Sequence, residues 1–476
     1  MVEFVAEAEG CPRCGRRLQI QKSRRRQAFT LAGGAFVAKE VLKHCADCAV
    51  VFACAALAHR LPARSRYGYD LIVYVGLARY LRAKQRSEIR AELGQHFGLT
   101  LSEATLSNLC DRFLGHLEAL HLARAPALRA AMAETGYPLH IDATCEAGKG
   151  GLMVCLDGWR GWVLVAGRIP TEHEQYLRPL LEQTVALFGQ PLATMRDLAE
   201  AGANALATLR ARGVPDLLCH YHFLRAVGEK LFDSPYTMLR KLLREHPIRR
   251  ELRELLGELR RYARTEGYEG RFGTGTVRDG LPALVLWLLE GRGKKDLNYP
   301  FGLPHLGLYQ RCQLAQQKAE SWLPPLRSLP ERRALKALGT VVNRMQRERR
   351  FLIAVRRLER NQQAFAELRD VLQLSNAELP SADNGLRHVA LPALEARRVL
   401  QIEQAVGEYQ KALETRAREQ PATPPNPSPS ATILKYLRRY GAHLFGHPTR
   451  RGEDGRIVAV VERTNNVTEH FFARQK

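Results

Sequence analysis

From Tyr137 onward the chain changes its hydrophobic period, and no other feature limits its fold so tightly. "YPLHIDAT", "GLMVCLDG" and "GWVLVAGRI" are three short β-rich runs. "KGG" at 149–151 and "DGWRG" at 157–161 are hairpin signals between them. A helical run follows, "TEHEQYLRPLLEQTVALFG", with Thr171 as its expected cap. Then come "PLATMRD", a strand ending at Asp197, a helix through "GANALATLRARG", and "VPDLLCHYHF", a strand that runs into a helix. Three meander strands followed by alternating helix and strand predict one mixed β-sheet.

The whole chain has 476 residues, 45% hydrophobic and 25% charged, enough for two to four globular domains. Its net charge of +23 favours polyanions, above all nucleic acid, or anionic membrane surfaces. The longest apolar runs, such as "LPALVLWLL" at 281–289, are too short to span a bilayer. Glu3, Glu7 and Glu9 stand where a signal peptide would be basic, so a reducing cytoplasm is expected. The ten cysteines therefore read as thiols or metal ligands.

"CPRCG" at 11–15 and "HCADC" at 44–48 form two Cys-x2-Cys knuckles, with 30 residues between Cys14 and Cys45. Two such knuckles can close a tetrahedral zinc site through Cys11, Cys14, Cys45 and Cys48. The intervening residues read as a β-hairpin excursion with a basic turn, whose Arg24, Arg25 and Arg26 could lie along phosphates. Cys54 reads as a buried apolar cysteine.

A helical block follows. "YDLIVYVGLARYLRAK" at 69–84 is apolar on most faces, and "RSEIRAELGQHFG" at 86–98 is a helix closed by glycine. Thr100 and Glu103 read as the capping box of a second helix, with Leu106, Leu109, Phe113, Leu117 and Leu120 on one stripe. Helix, short turn and capped helix is the helix-turn-helix pattern, in which early residues of the second helix face base edges. Here those are Thr105, Ser107 and Asn108.

The strand order after Tyr137 resembles that of the ribonuclease H-like fold. By that likeness the first strand is central, the fourth runs parallel beside it, and Asp142 meets Asp197 from 55 residues away. Clustered carboxylates repel unless a cation lies between them, and Mg2+ suits such hard oxygen ligands. A third acid is expected from "VAVVERTNNVTEHFFARQK" at 458–476, a strand, a polar turn and a helix start. Glu469 lies in the helix start, with Glu462 as its competitor; Asp157 and Asp216 are the local competitors of Asp197. Asn465 and Asn466 read as turn and cap residues.

"HIDAT", "MRDLAEAGANAL" with "VPDLLCHYHFLRAVGEKL", and "RTNNVTEHFF" together resemble the acid blocks of bacterial insertion-sequence transposases of the DDE type. The resemblance implies a metal-binding triad of Asp142, Asp197 and Glu469 loaded with Mg2+ or Mn2+. It implies an accessory pair at Cys219 and His222, and strand cleavage and transfer at the element's ends. It also implies double-stranded DNA as partner, a homo-oligomer on DNA, and a location in the bacterial cytoplasm at the nucleoid. The alternative is a truncated or repurposed DNA-binding protein without catalytic activity, since only seven residues follow Glu469. The expected layout is a zinc-ribbon-like module at 1–66, a helix-turn-helix region at 67–134 and the first part of the core at 135–234. A helical insertion at 235–420 that grips DNA through Arg-rich faces, a proline-rich linker at 421–431 and a return to the core at 432–476 complete it. Within the insertion, 238–267 reads as a helix pair broken at Pro247 and 329–374 as two or three helices.

Overall fold

The 30 residues between the knuckles do form a hairpin. The structure is a computed structural model. It describes all residues except 147–149, 266–276, 291–298, 323–328, 375–391, 420–427 and 476. The chain splits into two compact units, Met1–Leu128 and Arg129–Lys476.

In the first unit, β2 (Gln19–Thr30) and β3 (Gly34–Cys45) pair antiparallel; β1 (Val2–Val5) lies parallel to β3, and β4 (Val50–Phe52) pairs with its end. The arginines are not in the turn. Arg24, Arg25 and Arg26 sit within β2, opposite Glu40, Lys39 and Ala38. The turn falls at Leu31–Gly33, where Thr30 Oγ1 accepts from Gly33 N–H at 3.0 Å and Gly34 takes φ +65°. Cys54 is buried, as expected, but it is not simply apolar: its thiol donates to Glu7 Oε1 at 3.1 Å. Glu7 also accepts from the N–H groups of Ala55 and Ala56, which open α1 (Ala55–Arg60). These backbone bonds draw the Glu7 carboxyl down to about 2.

Next come α2 (Tyr69–Gly76), a π-helical turn at Leu77–Leu81, α3 (Arg86–Phe97) and α4 (Glu103–Ala133). Leu71, Ile72 and Val75 pack with Ile89, Leu93, Leu106 and Leu109, and Phe29 of β2 joins the same core. That shared core joins 1–66 to the helices that follow, so the two segments expected as separate modules form one unit as far as Leu128. A Cβ at Gly76 would fall 2.0 Å from the Phe113 ring, so only glycine lets α2 approach α4 this closely. α3 ends at Gly98 with φ +61°. Three expectations fail here. The capping box belongs to α3, through Gln85 and Glu88, and Ser102 rather than Thr100 caps α4 by accepting from Thr105 N–H at 3.1 Å. The apolar stripe of α4 stops at Phe113, because Leu117 and Leu120 are half exposed. The 69–84 helix is likewise wet on one face, at Val73, Leu77 and Leu81.

The second unit holds the meander: β5 (Pro138–Glu146), β6 (Gly150–Asp157) and β7 (Trp162–Ile169), all antiparallel. After α5 (Glu174–Phe188) the chain returns as β8 (Ala193–Arg196), parallel to β5. α6 (Glu200–Ala205) and α7 (Ala207–Ala211) lead to β9 (Asp216–Leu218), parallel to β8. The order is β7-β6-β5-β8-β9, with β5 in the centre. His173, not Thr171, caps α5, its Nδ1 accepting from Gln175 N–H.

α8 (His220–Glu245) leaves the sheet and runs unbroken through position 235, where a domain boundary is expected from sequence. Pro247 separates it from α9 (Ile248–Thr265), as proline's missing N–H dictates. α10 (Val277–Glu290), α11 (Pro304–Trp322), α12 (Leu329–Arg347), α13 (Arg349–Val371) and α14 (Pro392–Glu419) extend the helical body. Thus 329–374 holds two helices. Phe223, Leu231, Phe232 and Leu239 of α8 pack with Phe351, Leu358 and Phe365 of α13 in its core. The linker expected at 421–431 lies largely outside the described residues. Its end is not linker: Ser428 Oγ accepts from Ala431 N–H at 3.1 Å and caps α15 (Pro429–Tyr440). A small hairpin of β10 (Thr449–Arg451) and β11 (Ile457–Val460) precedes α16 (Asn466–Gln475). No described helix is long and apolar enough to cross a membrane.

Candidate functional site

Asp142 on β5 and Asp197, the residue just past the end of β8, come level. His140 of β5 pairs with Met195 of β8 in parallel register, and each acid lies two residues further along. The usual strand spacing of about 4.8 Å sets the scale of their separation. Both line a small open pocket of about 70 Å3 where the paired parts of β5 and β8 end. Its other walls include Ile141, Met153, Leu177, Arg196 and Gly202. Glu172, in the loop before α5, lines the same pocket. The sequence gives no sign of it, since the loop is folded onto the pocket by non-local packing. Asp142 Oδ1 accepts from Ala143 N–H at 2.9 Å, and Asp197 Oδ1 from Ala199 N–H at 3.0 Å.

The face of the sheet also matters. Asp142 is opposite Val154, and directly opposed residues of an antiparallel pair share a face. Val154 and Leu156 on that face pack against Val467, Phe471 and Phe472 of α16. The helix that carries Glu469 therefore lies over the strand face that carries Asp142. The Glu469 side chain itself lies outside the described residues.

Asn465 holds that helix in place. It is fully buried, and its Nδ2 donates to Ile141 O at 3.1 Å, one residue before Asp142. Its Oδ1 accepts from Thr468 Oγ1 at 2.8 Å and meets His140 Nδ1 at 2.9 Å. Its backbone N–H reaches Cys219 Sγ at 3.2 Å. Burial draws the His140 ring down to about 4, so it is neutral at pH 7, with Nδ1–H donating to Asn465. The asparagine expected as a turn or cap residue thus ties α16, β5 and the start of α8 together. Asn465→Ala strands several buried polar groups at once, and a loss of about 3 kcal/mol is expected. Urea denaturation checks this; a loss under about 1 kcal/mol would mean that the bonds are dispensable.

The competing acids have local work. Asp157 accepts from Trp159 N–H and pairs with Arg160 at 2.7 Å. Asp216 is gripped by Arg196 and Arg210. Burial opposes its ionisation, but hydrogen bonds and charge from these arginines hold its carboxyl below the usual range. Cys219 is buried at the N-cap of α8 and engaged by Asn465, while His222 lies against the Tyr221 ring. Glu462 follows β11 and is half-buried. Burial, and then the charge of Glu395, push its carboxyl up to about 7. Folding therefore favours the protonated form. Its contribution to stability is complete below about pH 4.5 and is lost as pH rises through about 7. Glu462→Gln is expected to remove this dependence, so denaturation at about pH 5 and about pH 8 should show the variant gaining on the wild type only at the higher pH. An equal difference at both values would assign the shift elsewhere.

A second constellation lies in the first unit. The ligand atoms of Cys11, Cys14, Cys45 and Cys48 all lie within 4.8 Å of one another. Tetrahedral Zn–S bonds of ~2.3 Å place sulfurs about 3.8 Å apart, so the cluster fits a structural metal such as zinc. The first knuckle is set by Gly15 N–H bonding to Cys11 O at 2.8 Å, with Gly15 at φ +73°. The second is set by Ala49 at φ 53° before β4. The Arg13 N–H, ahead of other causes, draws the Cys11 thiol down to about 7, while neighbouring Cys14 pushes Cys48 up to about 12.

The expected DNA contacts differ in availability. Arg24 and Arg25 are exposed, but Arg26 Nη1 donates to Pro62 O and Ser65 O at 3.1 and 3.0 Å and is spent on the fold. On α4, Asn108 is exposed and Thr105 half-buried, and Ser107 Oγ accepts from Arg86 at 2.6 Å. No protein-family model matches the chain, and no curated protein matches it.

Proposed function

We propose that the chain is a DNA transposase of the DDE type, which cleaves and rejoins strands at the ends of an insertion sequence. The carrying observation is that Asp142 on β5 and Asp197 just past β8 come level, with the helix that bears Glu469 over the face of β5 that carries Asp142. The strand order supports a ribonuclease H-like core. α3, its turn and α4 support a helix-turn-helix that reads base edges with Asn108, Thr105 and Ser107. The residues suit Mg2+ or Mn2+, since Asp142, Asp197 and Glu172 are among those around one open pocket and carboxylates are hard oxygen ligands. When bound, such ions activate the attacking hydroxyl and stabilise the leaving oxygen. Asp142, Asp197 and Glu469 hold the site in register with the sheet, and Asn465 fixes α16 against β5. Cys219 acts through that anchor rather than on substrate, with His222 beside it. The cysteine cluster and the basic β2 strand present the element's ends, on double-stranded DNA, to a homo-oligomer at the bacterial nucleoid.

The test uses the full chain and duplexes that carry the DNA flanking its coding sequence, with Mg2+ or Mn2+. Cleavage at a defined boundary, lost on chelation, is the expected result. Specific binding without cleavage under any divalent ion would instead favour a transposase-derived DNA-binding protein.

A further inference from the structure

α13 carries a stripe of arginines that the proposed chemistry does not use. Arg349, Ile353, Arg356, Arg360 and Gln363 are all exposed. Their spacing of three or four residues sets them on one face of the helix. The opposite face, with Phe351, Val355, Leu358 and Phe365, is buried in the helical body. The stripe from Arg349 to Arg360 is about 16 Å long at ~1.5 Å per residue.

The pairing pattern separates these arginines from others on the same body. Arg344 pairs with Glu251, Arg350 with Glu245, Arg416 with Glu367 and Arg438 with Glu414. Among the described residues, Arg349, Arg356 and Arg360 join no ion pair. A solvated face whose charge serves only solubility mixes both signs, as those pairs do. Three unneutralised guanidinium groups on one straight line, with an Ile that is 51% exposed between two of them, make a different surface. Guanidinium forks match phosphate geometry, and the apolar residue can lie against sugar.

We propose that this face of α13 binds the phosphate backbone of a DNA strand, without reading its sequence. The inference rests on the DNA reading above and adds the location of a grip separate from end recognition. About three phosphates are neutralised there, so the stripe supplies a slope of roughly −2.7 in the logarithmic dependence of affinity on salt.

The experiment compares the full chain with the triple variant Arg349→Gln, Arg356→Gln, Arg360→Gln on a short labelled duplex of arbitrary sequence, across a salt series. The exposed positions leave the fold intact, which circular dichroism checks. The salt slope should become shallower by about 3, affinity should fall by about tenfold or more at moderate salt, and the Arg→Lys triple variant should recover most of the slope. Equal loss on arbitrary and element-end duplexes marks a backbone grip. An unchanged slope and affinity, with the wild type binding well, would overturn the assignment of this face and leave the transposase reading standing. A wild type that binds no duplex at any salt would overturn both.

Discussion

Asp142→Asn is expected to lower metal-dependent strand cleavage by about a thousandfold or more, the scale on which losing one preorganised electrostatic group is felt. Duplex affinity and thermal stability should stay near wild type. The separation of effects follows from what the side chain does in the fold. Its Oδ1 accepts from Ala143 N–H at 2.9 Å, and asparagine keeps that oxygen. What asparagine lacks is the negative charge, which a bound cation or a developing transition-state charge would register. The position also carries the charge to a place where it can matter, level with Asp197 and on the α16 face of β5. Cleavage is read on end-bearing duplexes with Mn2+, and binding by mobility shift on the same duplexes. Activity within tenfold of wild type would remove Asp142 from the chemistry. A parallel loss of binding and stability would recast it as a strand-end residue that holds the sheet.

The sheet was legible because its cause is local. Alternating apolar residues in "YPLHIDAT" and "GLMVCLDG" and the glycine turns between the strands specify the meander before any distant contact is made. The level placement of Asp142 and Asp197 then follows from one parallel pairing. The features that were misread have non-local causes or weak local signals. Thr100 has the capping-box spacing, yet Ser102 lies nearer the first helical N–H groups and wins. The basic run of β2 resembles a turn, but the turn goes to Leu31–Gly33, where Asp70, 39 residues away, accepts from Leu31 N–H at 2.7 Å. Asn465 looks like a common cap. Its partners His140 and Ile141 lie more than 320 residues earlier, and no spacing rule reaches that far. Glu172 reaches its pocket only once the loop before α5 is folded, and Glu7 caps α1 from 48 residues away.

Cys45→Ser is expected to reduce bound zinc from about one equivalent per chain to less than half, and to loosen the first unit while the second stays folded. The argument begins with how little else holds that end of the sheet. The apolar cluster around the knuckles contains Leu18 with Cys11 and Cys45, and Ala8, Cys48 and Phe52 pack against it. A cluster of that size contributes little against the chain entropy of two long strands. Structural zinc in small modules contributes apparent free energies on the order of 10 kcal/mol. Cys45 ends β3 and pairs with Val50 of β4, so it transmits metal binding directly into the hairpin. Metal analysis measures the first effect, and hydrogen exchange along β2 and β3 measures the second, with β5 and β6 as internal controls. On the DNA reading, preference for element ends over arbitrary duplex should fall by about a hundredfold or more, within the usual range of specific over non-specific binding. Weak, salt-sensitive binding should persist through the second unit. Full zinc occupancy in the variant would show that the four thiols do not form one closed site. Zinc lost with end preference intact would confine the metal to stability and shift recognition to α4.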